Sequence, residues 1–89
     1  MEGHSVISPE VLARYALDAA AEVPGVQPRH RRGAKVSGGE VEVHVVVDYG
    51  AEIPAVAVEV QQRVADYLQR MADVRPATVD AVVDDVERP

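Results

Sequence analysis

Few side chains in this protein are equipped for chemistry, and their spacing limits them further. Three histidines, His4, His30 and His44, stand far apart. None has a second histidine or a carboxylate at the helical spacing of a metal pair, so each reads as a solvated side chain rather than a ligand. The hydroxyls are Ser5, Ser8, Ser37 and Thr78, with no base placed to activate any of them. Asp84, Asp85 and Glu87 make a carboxylate run, but neighbours along a strand point to opposite faces, and the run reads as a solvated acidic stretch. The absence of cysteine removes disulfides, thiolate nucleophiles and the usual structural zinc sites. The expectation is a protein with no catalytic residue, no metal and no cofactor.

Two stretches invite a phosphate reading. "GAKVSGG" (33–39) has the glycine spacing of a phosphate-cradling loop in Gly33 and Gly38. Gly39 stands where the lysine belongs, however, and Glu40 where the hydroxyl belongs, so a turn between strands explains it better. "VVVDYGAEIP" (45–54) runs a strand into a helix start, where free N–H groups and the dipole favour an anion. Here Asp48 and Glu52 supply competing negative charge and Pro54 deletes a donor. Gly50 reads as a turn residue, and the joint as scaffold.

What remains are features suited to contact with other molecules. The chain carries a net charge of −6. Residues 1–36 hold five Lys/Arg against four Asp/Glu, while residues 37–89 hold four against eleven. An acidic half repels phosphate backbones, and no G-x-x-G loop joins two helices, so nucleic acid is not an expected partner. The one basic cluster, Arg29, His30, Arg31 and Arg32, is a candidate contact for a partner protein or for acidic lipid headgroups. Val46 and Val82 are expected on the sheet face away from the helices, where together they would make an apolar patch. Open sheet edges would invite strand addition.

The elements that must position these groups are legible from periodicity. "SPEVLARYALDAAAEVPGV" (8–26) begins with a capping Ser8, Pro9 at the first helical position and Glu10 at the positive end of the dipole. Val11, Leu12, Tyr15, Ala16, Ala19 and Val23 form one apolar stripe, and Pro24-Gly25 enforces an exit near Glu22. Residues 26–36 are poorly patterned: a short strand at Val26 gives way to a basic loop, "PRHRRGAK". Val41, Val43, Val45, Val47 and Tyr49 then alternate as a strand. A second helix from about Pro54 carries the stripe Ile53, Val56, Ala57, Val60, Val64, Tyr67, Leu68 and Met71. A last strand is expected over 77–86, with Val79, Ala81 and Val83 on one face and Asp80, Val82 and Asp84 on the other. Strand, helix, strand is a crossover unit, which joins parallel strands. The expected fold is α+β: a two-layer α/β sandwich of order α-β-β-α-β, two helices on one face of a small three-stranded mixed sheet.

At 89 residues, 47% hydrophobic and 27% charged, the balance is that of one globular domain over 1–89 rather than a disordered chain. Residues 1–7 and 87–89 are expected to be flexible. No apolar run approaches the roughly 18 residues of a membrane span. The opening "MEGHSVIS" lacks the layout of a secretory signal, so a cytoplasmic location is expected.

With these elements in order, "VVVDYGAEIPAVAVEVQQRVADYLQRMADVRPATVDAVVDDV" (45–86) resembles the alkaline shock protein family, the cell-envelope stress response proteins of Gram-positive bacteria. The matching features are a strand ending in Tyr49-Gly50, then Ile53-Pro54, "VQQRV" over 60–64, Met71, and a closing strand of the kind "VDAVVDDV". Upstream, Ala20, Glu22, Val23, Pro24, Gly25 and Val26 are similar to the exit of the family's opening helix. The chain departs from the family pattern between Val26 and Glu40, where "QPRHRRGAK" stands in place of most of the usual first hairpin.

The resemblance implies a non-enzymatic cytoplasmic protein that assembles with itself and is held at the inner face of the membrane by a membrane-anchored protein partner, with a role in envelope homeostasis or stress. It implies no small-molecule substrate. The competing expectation is a lipid-surface or small-ligand binding module of α-β-β-α-β type, whose contact residues would be Arg29, Arg31 and Arg32.

Overall fold

A computed structural model of the protein describes residues 7–30 and 32–88. The elements are α1 (Pro9–Ala21), β1 (Gly33–Ser37), β2 (Glu40–Asp48), α2 (Ile53–Ala72) and β3 (Thr78–Glu87). The strands form one sheet in the order β1-β2-β3, with β1 antiparallel and β3 parallel to β2. This is the expected α+β sandwich. Of the segments expected to be flexible, residues 1–6 and 89 lie outside the described residues. Ile7 packs against the core, and Glu87 closes β3 opposite Asp48.

Local chemistry accounts for both ends of α1. The Ser8 hydroxyl accepts from the Val11 N–H at 3.2 Å, and Pro9 needs no partner at the first turn. After the helix, Gly25 turns the chain at φ +97°, and its carbonyl accepts from the Asp48 N–H at 2.8 Å. The Gln27 N–H then donates to the Val46 carbonyl at 2.8 Å, and Val26 bridges Val47, so this stretch runs beside the end of β2. A side chain at Gly25 would place Cβ 3.0 Å from Val56 Cγ2, which is why the tight exit takes glycine.

The strand expected to start at Val26 is therefore a single bridge, and part of the expected basic loop is a strand instead. Gly33–Ser37 pairs with Glu40–His44 through a two-residue turn, Gly38 and Gly39, both at positive φ. Such turns match the twist of antiparallel strands. The first hairpin is thus kept in this chain. Its strand signal was weak because only Ala34 and Val36 face the helices; Gly33 and Lys35 are poor strand formers.

One face of the sheet is dry. Val41, Val43, Val45 and Val47 are each at most 3% exposed, flanked by half-buried Val79, Ala81 and Val83 of β3. From α2, Val56, Val60, Val64 and Leu68 cover them at four-residue spacing, while α1 adds Leu12, Ala16, Ala19 and Ala20. Each large aliphatic side chain removed from water there contributes about 1.5–3 kcal/mol before entropy. Tyr15 and Tyr67 meet edge to face, centroids 5.8 Å apart, and join the two helices. The stripe is shorter than expected: Ile53 and Met71 are 40% and 50% exposed. Each lies three residues from the seam, and a three-residue step falls about 60° short of a full turn, which swings the side chain off the sheet. Asp73, in a left-handed conformation, ends α2, and the Val74 N–H returns to the Leu68 carbonyl at 3.2 Å.

Candidate functional site

At the strand-to-helix joint two of the N–H groups that could meet an anion already have backbone partners. Gly50 turns at φ +91°, the Ala51 N–H donates to the Asp48 carbonyl at 3.1 Å, and the Tyr49 N–H donates to the Glu87 carbonyl at 2.8 Å. Pro54 occupies the first turn of α2, and Glu52 stands at its cap position without a side-chain capping bond. A surface depression beside the joint is lined by Gln27, Asp48, Tyr49 and Glu87, and the Gln27 amide donates into the Asp48 carboxylate there. Tyr49 lies under the Arg88 guanidinium, 4.7 Å from the ring centroid. The glycine-rich segment is equally occupied, since Gly33 belongs to β1 and Gly38-Gly39 form the hairpin turn.

The polar chemistry gathers on the sheet face that the helices leave open. Register places Lys35, Glu42, His44, Asp48, Asp80, Val82 and Glu87 on that face. At its centre His44 is held between two carboxylates. Its Nε2 lies 2.6 Å from a Glu42 oxygen and its Nδ1 3.0 Å from Asp84. Glu42 reaches it because residues two apart on a strand share a face. Asp84 reaches it because β3 has a bulge: Val45 pairs with Val83 and Val46 with Asp85, leaving Asp84 as the extra residue. Only the doubly protonated imidazolium donates from both nitrogens. Hydrogen bonding to Asp84, and then to Glu42, accordingly raises its pKa above the ordinary 6.5, against a smaller lowering by burial.

A second histidine makes the same kind of contact. His30 Nε2 lies 2.8 Å from a Glu87 carboxylate oxygen, joining the segment on one side of β2 to β3 on the other. Glu87 pairs with Asp48, so this contact crosses β2 on its open face. Val46, on the same face, is only 2% exposed. The expected apolar patch of Val46 and Val82 is therefore absent, since one of the two valines is covered and the other is half-buried.

Of the basic cluster, Arg29, His30 and Arg32 are exposed, and Arg31 lies outside the described residues. His4 and Ser5 lie outside them too. Neither His30 nor His44 is simply solvated, and Asp84 and Glu87 are their partners. The pairing at Glu42 and His44 was visible as an i, i+2 spacing, whereas that with Asp84 depended on a bulge no pattern announces. Among the described residues no group of three histidine, aspartate or glutamate side chains is arranged to hold a metal ion, no polar side chain is buried, and no helix is long and apolar enough to cross a membrane.

A family model described as the alkaline shock protein 23 family, of cell envelope-related function, matches residues 27–88. Among solved structures, MamM-CTD in a histidine-to-alanine variant is similar, with a TM-score of 0.50 and 19% identity over 92% of this chain and 99% of that one. At that identity the likeness is one of fold. No curated protein matches the chain.

Proposed function

The chain belongs to the alkaline shock protein 23 family, whose function is related to the cell envelope, and from that premise we propose that it acts as a non-enzymatic interaction module in envelope homeostasis. In this reading it works at the cytoplasmic face of the membrane, by associating with itself and by docking on a membrane-anchored protein. The observation that carries the reading is the division of the sheet. Helices fill one face with aliphatic side chains, and the other carries charged groups with no element packed over it among the described residues. An uncovered, charged sheet face suits recognition of another macromolecule better than it suits turnover of a small molecule, which takes an enclosed and mostly apolar pocket.

Light scattering over a range of concentrations, together with fractionation of cells after crosslinking, tests this. Concentration-dependent assembly and a crosslink to a membrane-anchored protein are expected. A chain that stays monomeric at high concentration and never crosslinks to membrane proteins would overturn the proposal. Arg29, His30, Arg31 and Arg32 remain contact candidates in it. Binding of the pure protein to anionic liposomes, lost on neutralising Arg29, Arg31 and Arg32, would transfer the assignment to a lipid-surface module.

A further inference from the structure

β3 is a long edge strand, guarded by negative charge and a single bulge. It runs ten residues, Thr78–Glu87, against five for β1 at the other edge, and pairs only with β2 among the described residues. Edge strands are usually kept short or are protected by charge (lysine above all), proline or bulges, because their outer N–H and C=O groups template another strand. β3 contains neither residue, and its one irregularity, the Asp84 bulge, leaves the run from Thr78 to Val83 in regular register.

The two sides of this edge differ in a way that selects what can join it. On the helix side Val79, Ala81 and Val83 are half-buried, and Gln61, Gln62 and Ala65 of α2 line a depression with Pro76, Ala77, Thr78 and Val79. On the open side stand Asp80, Asp85 and Glu87, with Asp84 at the bulge, and Asp80 has no hydrogen-bond or ion-pair partner among the described residues. A second β3 laid antiparallel would set carboxylates against carboxylates, which is destabilising. A strand alternating apolar and cationic residues would place its apolar side chains over the α2 depression and its cations beside the aspartates.

We propose that the free edge of β3 receives an extended lysine- or arginine-bearing segment of a partner protein as a fourth strand of the sheet. This deepens the docking reading above and rests on it only for where the partner resides. The cytoplasmic flanks of membrane spans are enriched in lysine and arginine, the chemistry this edge selects.

The test uses the full chain and a peptide of about eight alternating lysine and valine residues, long enough to follow most of β3 at about 3.3 Å per residue. Backbone amide exchange read by NMR is expected to slow along β3 and to stay unchanged along β1. A peptide alternating glutamate and valine should leave both edges unchanged. Exchanging two charges, with Asp80→Lys and Asp85→Lys together, should weaken the lysine peptide about tenfold and allow the glutamate peptide to bind, since exposed charge pairs set the preference. That reversal also shows the variant is folded. Protection at β1, protection nowhere, or equal binding of an all-lysine peptide without slowed exchange would each overturn strand addition. Crosslinking to membrane proteins is read separately, so failure of the edge and failure of the docking reading are distinguishable.

Discussion

The two faces of this sheet are made by the same three strands and obey different physics. Toward the helices, β2 presents four valines that are almost wholly buried, and among the described residues no polar side chain is buried with them. Toward the open side the same strand presents Glu42, His44 and Asp48, tied to neighbouring segments by side-chain bonds between exposed or half-exposed groups. The first face stabilises by removing area from water, which involves no titrating group and is therefore insensitive to pH. The second contributes through charge pairs that solvent screens, so it adds little stability and leaves its groups available to other molecules. The comparison locates stability on one side of the sheet and sensitivity to surroundings on the other.

The same substitution made on each face would break this contrast or confirm it. Val64→Asp buries an unpaired carboxylate at a position with no exposure, a penalty of several kcal/mol that is comparable with the whole stability of a small domain. Loss of the far-ultraviolet helix signal at 25 °C is expected. Val82→Asp, on the open face, should cost roughly 1 kcal/mol or less by urea unfolding. Equal effects would show that the open face is covered in solution.

Between these extremes lies Leu68→Ala, expected to cost about 2–5 kcal/mol through lost transfer energy and the cavity left behind. Gly25→Ala combines a positive φ with crowding against Val56, and a loss of roughly 1–3 kcal/mol by thermal unfolding is expected. Ser8→Ala, which removes only the cap, should cost about 1 kcal/mol.

The smallest effect is the one that depends on pH. Because the folded-state pKa of His44 is raised above 6.5, its contribution to stability is full below about pH 6.5. It is lost as pH rises through the higher folded value. The melting temperature should therefore decline slightly across that window, and His44→Gln should flatten the decline. A decline unchanged in the variant would show that the Glu42 and Asp84 contacts do not hold the imidazolium.

Much of this was legible before the fold. Alternating valines over 41–47 and the four-residue spacing of Val56, Val60, Val64 and Leu68 specify which side of each element is dry, because burial follows the backbone's own period. The cap at Ser8 and the exit at Pro24-Gly25 are equally local, and each lies where the structure has it. β1 was harder to see, since a five-residue edge strand carrying Gly33 and Lys35 has too few buried positions to show a period. The contacts of His30 with Glu87 and of His44 with Asp84 were invisible for another reason: they join residues 57 and 40 positions apart.

Amino-acid order alone determined both helices, β2, β3 and their apolar faces, because those depend on neighbours a few residues away, and it excluded cysteine chemistry outright. Tertiary structure decided that β1 pairs with β2, that a bulge brings Asp84 to His44, and that β3 is left as a long open edge. Those outcomes depend on strand register and sheet order, which are set by packing between segments distant in the chain and leave no periodic trace in it.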